Sequence, residues 1–251
     1  MLNNQSIKTP LPQLSVVIPM HNEIDNAEPL IEEIIAELSP WAECEIIAVD
    51  DCSTDGTHEK LLELKSQYPE LRVLRHRVNL GQSSAVVSGV YAARYSLIAT
   101  LDGDGQNPPA DIQKLFRAME EQVLSAQQLL IAGHRQNRND SPLRLISSKI
   151  ANSIRSKFLN DTCADSGCGL KLFSKTTFLK LPHFDHLHRF LPALFIRAGA
   201  TVVNVPISHR PRTRGYSKYG VMNRLWVGII DLFGTAWLIR RPCPSDLHDE
   251  L

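Results

Sequence analysis

The feature that most restricts what this chain can fold into is an alternation held over its first 133 residues. Short apolar runs are followed each time by a longer stretch with apolar residues at helical spacing. Residues 14–19 (LSVVIP), 45–50 (EIIAVD), 71–74 (LRVL), 96–101 (SLIATL) and 129–133 (LLIAG) read as strands. Between them, residues 26–38 place Leu30, Ile31, Ile34, Ile35 and Leu38 on one helical face, with Asp25 or Asn26 as cap. Residues 55–67 form a second helix with Leu61, Leu62 and Leu64 inward, residues 83–94 a third, and another follows Pro109. Strands apolar almost throughout are buried on both faces, so the pattern predicts an α/β domain: a mostly parallel, Rossmann-like sheet with helices on both sides. Such sheets bind ligands at the carboxyl ends of their strands. Three polar segments follow strands directly and should crowd one edge: residues 19–25, 50–56 and 102–106.

Beyond Gly133 the pattern loosens. A helix is expected over 143–159, a short strand over 169–173, a largely apolar helix over 186–198 and a strand over 201–207, followed by a basic loop at 209–220. The tail 223–241 is apolar, with Arg224 at one end, Arg240 and Arg241 at the other, and Trp226 and Trp237 within it. Its uncharged core, interrupted by Asp231, runs to about 15 residues, short of the roughly 20 that span a bilayer. The tail is therefore expected to lie at a membrane interface or to pack on the domain.

Composition narrows the class. With 43% hydrophobic and 22% charged residues the chain can bury a core unaided, which excludes a disordered chain, a collagen-like chain and a disulfide-stapled scaffold. Cys44, Cys52, Cys163, Cys168 and Cys243 are scattered without CxxC spacing, which argues against a zinc ribbon and for reduced thiols. The opening MLNNQSIKTPLPQ lacks an apolar core, so no secretory signal is expected and the protein is assigned to the cytoplasm. The net charge of zero conceals an asymmetry. Residues 1–133 hold 9 Lys+Arg against 19 Asp+Glu (net −10), and residues 134–218 hold 15 against 4 (net +11). An acidic half beside a basic half suits a site where a cation meets a polyanion. Nucleic acid is not the expected partner, because the basic half has few aromatics for base stacking.

The most informative segment is Asp102-Gly103-Asp104-Gly105-Gln106, directly after the fourth strand. Two carboxylates one residue apart at a strand end can share one hard cation, and the Gln106 oxygen can add a third ligand. Oxygen ligands favour Mg²⁺ or Mn²⁺ over zinc or copper. A cation there can bridge nucleotide phosphates and offset charge on a departing diphosphate. In Asp50-Asp51-Cys52-Ser53-Thr54-Asp55-Gly56, one carboxylate could accept hydrogen bonds from a base, while Ser53, Thr54 or Asp55 caps the next helix.

VVIPMHNE, EIIAVDDCSTDGT, NLGQSSAVVSG, LDGDGQNPP and GHR, in this order and spacing, resemble the family 2 glycosyltransferases of GT-A fold. SGCGLKLF and HRPRTRGYSKYG extend the likeness to the dolichyl-phosphate mannosyltransferase branch, whose members glycosylate polyprenyl phosphates. The resemblance implies a catalytic domain over residues 14–220, and the apolar stretch with tryptophans and terminal arginines makes 221–241 a membrane- or partner-associating tail. It implies Pro19, His21, Glu23, Val49 and Asp51 at the nucleotide, with His21 standing where the motif usually has Tyr. It places Asp102, Gly103, Asp104 and Gln106 at the diphosphate and metal. Arg135, Arg144, Ser148, Arg214, Ser217 and Lys218 match phosphate-binding positions, with Asp165 as an orienter of the arginines. The implied reaction is metal-assisted inverting transfer from a GDP- or UDP-sugar to a polyprenyl phosphate at the cytoplasmic membrane face, with a small membrane subunit as a possible partner. The rivals are a family 2 transferase with a hydroxyl acceptor, which would need a base such as Asp161 or Asp165, and a catalytically inactive membrane-recruiting subunit.

Overall fold

The computed structural model describes residues 12–39, 41, 43–136, 155–211 and 221–241, the side chains of 221–227 excepted. Strands β1 (Leu14–Met20), β2 (Cys44–Asp50), β3 (Leu71–Arg75) and β4 (Leu97–Thr100) alternate with helices α1 (Ile24–Leu38), α2 (Thr57–Gln67), α3 (Gly81–Ala92) and α4 (Asp111–Glu120). Then come β5 (Leu129–Arg135), a helical turn α5 (155–159), β6 (Lys171–Ser174), α6 (Lys175–Leu179), α7 (Leu191–Arg197), β7 (Thr201–Ile207) and α8 (Val221–Arg240). One sheet contains all seven strands in the order β3-β2-β1-β4-β6-β5-β7. Every neighbouring pair is parallel except those of β6, which runs antiparallel to both β4 and β5.

Period-two alternation explains why both sheet faces are covered. Val16, Ile18 and Ile46 face a core layer built from α1, α2 and α4, with Leu30, Ile31, Leu61, Leu64, Leu115 and Phe116. Their neighbours Val17, Ile47 and Val49 face the opposite layer, with Ala85, Val86 and Val90 of α3 and Phe195 of α7. The predicted α/β architecture and mostly parallel sheet are therefore observed.

Local differences have local causes. Helix α1 starts at Ile24, so neither Asp25 nor Asn26 caps it. Its first N–H groups are satisfied from the β2–α2 loop instead: Glu23 N donates to Thr57 Oγ1 (2.9 Å) and Ile24 N to Asp55 Oδ2 (3.2 Å). The N-cap of α2 is Gly56 and not Ser53, Thr54 or Asp55, although Asp55 one residue earlier accepts from Thr57 N at 3.0 Å. Leu62 is 46% exposed while Leu61 and Leu64 are buried, so the inner face of α2 is narrower than expected. The expected helix over 186–198 is broken: a 3₁₀ turn over Leu187–Arg189 precedes α7, whose start carries Pro192. Of the expected helix over 143–159, only 155–159 falls within the described residues.

Of the two expectations for the tail, packing on the domain is observed. Thr235 and Ala236 of α8 are buried against the domain, and Arg197 Nε on α7 donates to the Leu238 carbonyl at 3.1 Å. The other side of α8 exposes Ile230, Phe233 and Trp237. Among the described residues, no helix is long and apolar enough to cross a membrane.

Candidate functional site

The loops after β1, β2 and β4 meet at one edge, as the alternation requires. Asp51 N donates to the Met20 carbonyl (2.8 Å), Asn22 N to Ser53 Oγ (2.9 Å) and Thr54 N to Asn22 Oδ1 (2.7 Å). The adjacent carboxylates of Asp50 and Asp51 are both spent on organising these loops. Asp50 is fully buried; its Oδ1 accepts from Ser53 N at 3.0 Å and its Oδ2 lies 3.5 Å from both His58 and Arg75. Asp51 accepts from Leu80 N (2.9 Å) and Gly81 N (2.7 Å) at the start of α3 and meets His76 Nδ1 at 2.7 Å. A carboxylate at a helix N-terminus is well placed electrostatically, and through it Asp51 ties this loop to the start of α3. The Val49 side chain is fully buried in the core on a strand paired on both sides, so the side chain does not reach the edge where the loops meet.

His21 does stand at the cleft, half-buried. Its Nδ1 lies 2.8 Å from the Asp51 carbonyl, which can only accept, so Nδ1 carries the proton. Nε2 then accepts from Asn79 Nδ2 at 3.1 Å, which holds the ring in place. Glu23 accepts from Asn26 Nδ2 at 2.7 Å, and Pro19 lines the crevice beneath Asp102.

At the end of β4 the chain is squeezed between β1 and the segment before β6. A Cβ on Gly103 would lie 2.8 Å from the Pro19 carbonyl, and one on Gly169 would lie 2.1 Å from Asp102 Cγ. Both positions therefore exclude side chains. Gln82 Nε2 donates to Asp102 Oδ1 at 2.8 Å. Burial, and then the charge of Asp104, push the Asp102 carboxyl up to about 6; Lys171 and Arg135 oppose the shift only in part. Two carboxylates this close, one of them buried, are costly to ionise together, and a cation between them would relieve that cost. Among the described residues no cluster of three or more His, Cys, Asp or Glu is found, so a cation would need oxygens beyond the two aspartates. Gln106 is near but engaged: its Nε2 donates to the Arg210 carbonyl at 3.2 Å and its carbonyl accepts from Arg210 N at 2.9 Å. Its Oε1 is the atom left to offer.

Arg135, at the end of β5, is gripped by Asp165 through Nε (2.7 Å) and Nη2 (2.9 Å). Burial disfavours the guanidinium charge, but the Asp165 bonds more than offset this and raise its pKa. The expected orienting role of Asp165 is thus met for Arg135. Arg144, Ser148, Arg214, Ser217 and Lys218 lie outside the described residues.

Four groups at the site escaped sequence reasoning: Gln82, Ser83, Lys171 and His188. Lys171 is 2% exposed and donates to the Ser166 carbonyl (3.2 Å) and the Cys168 carbonyl. A lysine between Leu170 and Leu172 in an apolar strand was the available signal, since lysine is almost never fully buried without a reason. His188 had no such signal, because only the fold brings it to Asp102. Gln82, Lys171 and His188 line a crevice of about 20 Å³ beside Asp102, room for one water, and Ser83 lies behind His188. On the outer side, Asp104, Gly105, Glu33 and Arg210 border a hollow of about 380 Å³, where Arg210 grips Glu33 at 2.7 and 2.8 Å.

Residues 15–181 match the family described as Glycosyl transferase family 2. The chain is 33% identical over 233 residues to dodecaprenyl-phosphate galacturonate synthase of Rhizobium johnstonii, covering 91% of this chain and 68% of that protein. It is 32% identical over 212 residues to undecaprenyl-phosphate 4-deoxy-4-formamido-L-arabinose transferase of Edwardsiella ictaluri, covering 83% of this chain and 63% of that one. The chain thus spans about two thirds of the length of these curated relatives. Glucosyl-3-phosphoglycerate synthase of Mycobacterium tuberculosis, in complex with Mn²⁺ and UDP-glucose, matches with TM-score 0.65 at 19% identity over 88% of this chain and 79% of that chain. A mannosyltransferase of Pyrobaculum calidifontis, in complex with GDP-Man and Mn²⁺, matches with TM-score 0.63 at 17% identity over 94% and 67%. These two likenesses establish the shared fold.

Proposed function

The chain belongs to glycosyl transferase family 2, and on that premise we propose that it moves a sugar from a nucleotide-sugar donor to a polyprenyl phosphate with inversion at C1. The observation that carries this reading is the Asp102–Asp104 pair at the end of β4, facing an Arg135 held by Asp165. A phosphate oxygen of the acceptor attacks C1, the bond from C1 to the diphosphate breaks, and the nucleoside diphosphate departs. A phosphate is ionised at neutral pH, so the step needs no general base. The protein's task is to bring two polyanions together, which arginine does well. Mg²⁺ or Mn²⁺, held by Asp102 and Asp104 with Gln106, would supply charge neutralisation for the leaving diphosphate. The relatives named for undecaprenyl or dodecaprenyl phosphate support the acceptor, and the fold neighbours with UDP-glucose or GDP-Man support the donor class.

A hydroxyl acceptor would require a base, and the two candidates are already committed. Asp165 is bonded to Arg135, and Asp161 is buried against Arg155 at 3.1 Å and Cys163 N at 3.1 Å. An inactive recruiting subunit has no need of intact Asp102 and Asp104. The exposed apolar side of α8 is proposed as a contact with the cytoplasmic membrane surface or a membrane subunit, with Trp237 at the lipid headgroups.

The test is a transfer assay with UDP- and GDP-sugars, comparing a polyprenyl phosphate with the free polyprenol. Product from the phosphate alone is expected; product from the alcohol would overturn the acceptor assignment. In the same assay Trp237→Glu should reduce transfer to vesicle-embedded acceptor and spare a short water-soluble one. Equal rates on both would remove α8 from the membrane.

The cation has a pH signature. Asp102 holds its proton up to about 6 in the fold, against 3.8 as its reference value. Its contribution to stability is therefore greatest at low pH, falls as pH rises between those values, and is level above them. A cation binds only the carboxylate, so Mn²⁺ should raise the melting temperature at about pH 7.5 and do little at about pH 5. Equal increments at both would place the cation away from Asp102.

A further inference from the structure

Beneath Asp102, and unused by the chemistry above, is an imidazole whose hydrogen-bonding direction the fold dictates. His188 N donates to Ser83 Oγ at 3.3 Å, and the same oxygen lies 2.7 Å from His188 Nδ1. Ser83 is 1% exposed, so its hydroxyl has no water to turn to. With one lone pair taken by the backbone N–H, the hydroxyl hydrogen is directed at Nδ1, which must accept. The proton of the ring then sits on Nε2. Burial, and the charges of Arg189 and Lys171 after it, hold the imidazole well below its usual pKa, in keeping with a neutral ring. Nε2 has no hydrogen-bond partner among the described residues, yet it is not among the sealed, unsatisfied atoms of the interior. His188 lines the crevice together with Gln82, Lys171 and Asp102, and Nε2 is the ring nitrogen left to serve it.

That crevice has an uncommon inventory. Gln82, Lys171 and His188 all present N–H donors, and Asp102 is the acceptor among them. Its volume of about 20 Å³ admits one oxygen atom and not a ring. We infer that His188 Nε2–H is a specificity contact, donating to one hydroxyl oxygen of the donor's sugar ring, which enters the crevice where a water would sit. Ser83 is a positioning residue that fixes the tautomer. The inference rests on the nucleotide-sugar reading of the site. It predicts that the contact senses the sugar and not the nucleotide, because a crevice of about 20 Å³ admits a hydroxyl oxygen and no base or phosphate.

Calorimetry with Mn²⁺ would compare UDP-glucose with UDP, and GDP-mannose with GDP, on the wild type, His188→Gln and Ser83→Ala. Nitrogen-15 spectra of the imidazoles would be recorded on the wild type and Ser83→Ala. The nucleotide-sugar that the wild type holds should bind about tenfold more weakly to His188→Gln, the worth of one hydrogen bond to a buried partner. The matching nucleoside diphosphate should change less than about twofold. The wild-type His188 spectrum should show the Nε2–H tautomer and shift on adding the nucleotide-sugar but not the diphosphate. Ser83→Ala should lose the single-tautomer signature and part of the sugar preference; this variant keeps the question open to measurement if His188→Gln does not fold. Equal weakening of sugar and diphosphate, or none, with normal wild-type binding overturns the His188 contact alone. A wild type that binds neither nucleotide-sugar overturns the donor reading and this inference with it.

Discussion

Asp104→Asn is expected to lower transfer by about 10³-fold while leaving the melting temperature of the metal-free protein unchanged or higher. The two effects have opposite signs for one reason. Asp104 raises the Asp102 pKa through like charge, so the folded protein carries an electrostatic cost at that strand end. Removing one carboxylate relieves that cost in the free protein and removes the charge on which a diphosphate-bound cation depends; contributions of this kind reach several kcal/mol in the transition state. A structural role for Asp104 would instead lower the melting temperature. Turnover within tenfold of wild type at saturating Mn²⁺ would take Asp104 out of the reaction.

Gly169→Ala should be nearly as damaging, although it adds one methyl group and removes no functional one. The new Cβ would lie 2.1–2.3 Å from the Asp102 carboxyl atoms, so the carboxylate must move or the Gly167–Gly169 segment must. A displacement near 1 Å at a reacting centre costs on the order of 10²-fold in rate. Gly167→Ala, two residues away, is the comparison: its Cβ would meet only ordinary contacts at 3.6 Å from Arg135 and 3.8 Å from Asp165. The expected result is a loss of kcat/KM at Gly169 far exceeding that at Gly167, measured by the transfer assay. Similar losses would mean that the whole segment, and not the place of Asp102, limits the rate.

The polar edge of the sheet was legible because its residues are ordered by local rules. A strand that must be buried on both faces cannot carry aspartates in its middle, so Asp102 and Asp104 had to come at its end. Asp50 and Asp51 obey the same rule, and one of the two was read as a ligand contact; their oxygens also serve Ser53, Leu80 and Gly81. From sequence, a carboxylate that caps a distant helix looks the same as one that awaits a base. Val49 was placed at the nucleotide by its motif neighbours, although strand alternation puts its side chain in the core. Arg135 was found by motif, and its hold by Asp165 across 30 residues became measurable only in three dimensions.

By itself, the sequence determined the alternation of elements, the parallel strands β1 to β4, the edge that collects polar loops, and the aspartate pair on that edge. These follow from periodicity and from the cost of burying charge, which act within a few residues of chain. Tertiary structure decided what depends on pairing distant segments. It put β6 antiparallel between β4 and β5, carrying Lys171 and Gly169 against Asp102. It also brought Ser83 to His188 across 105 residues and turned one face of α8 inward. Such contacts are selected by the packing of the whole core, and no local pattern along the chain encodes which partners will meet.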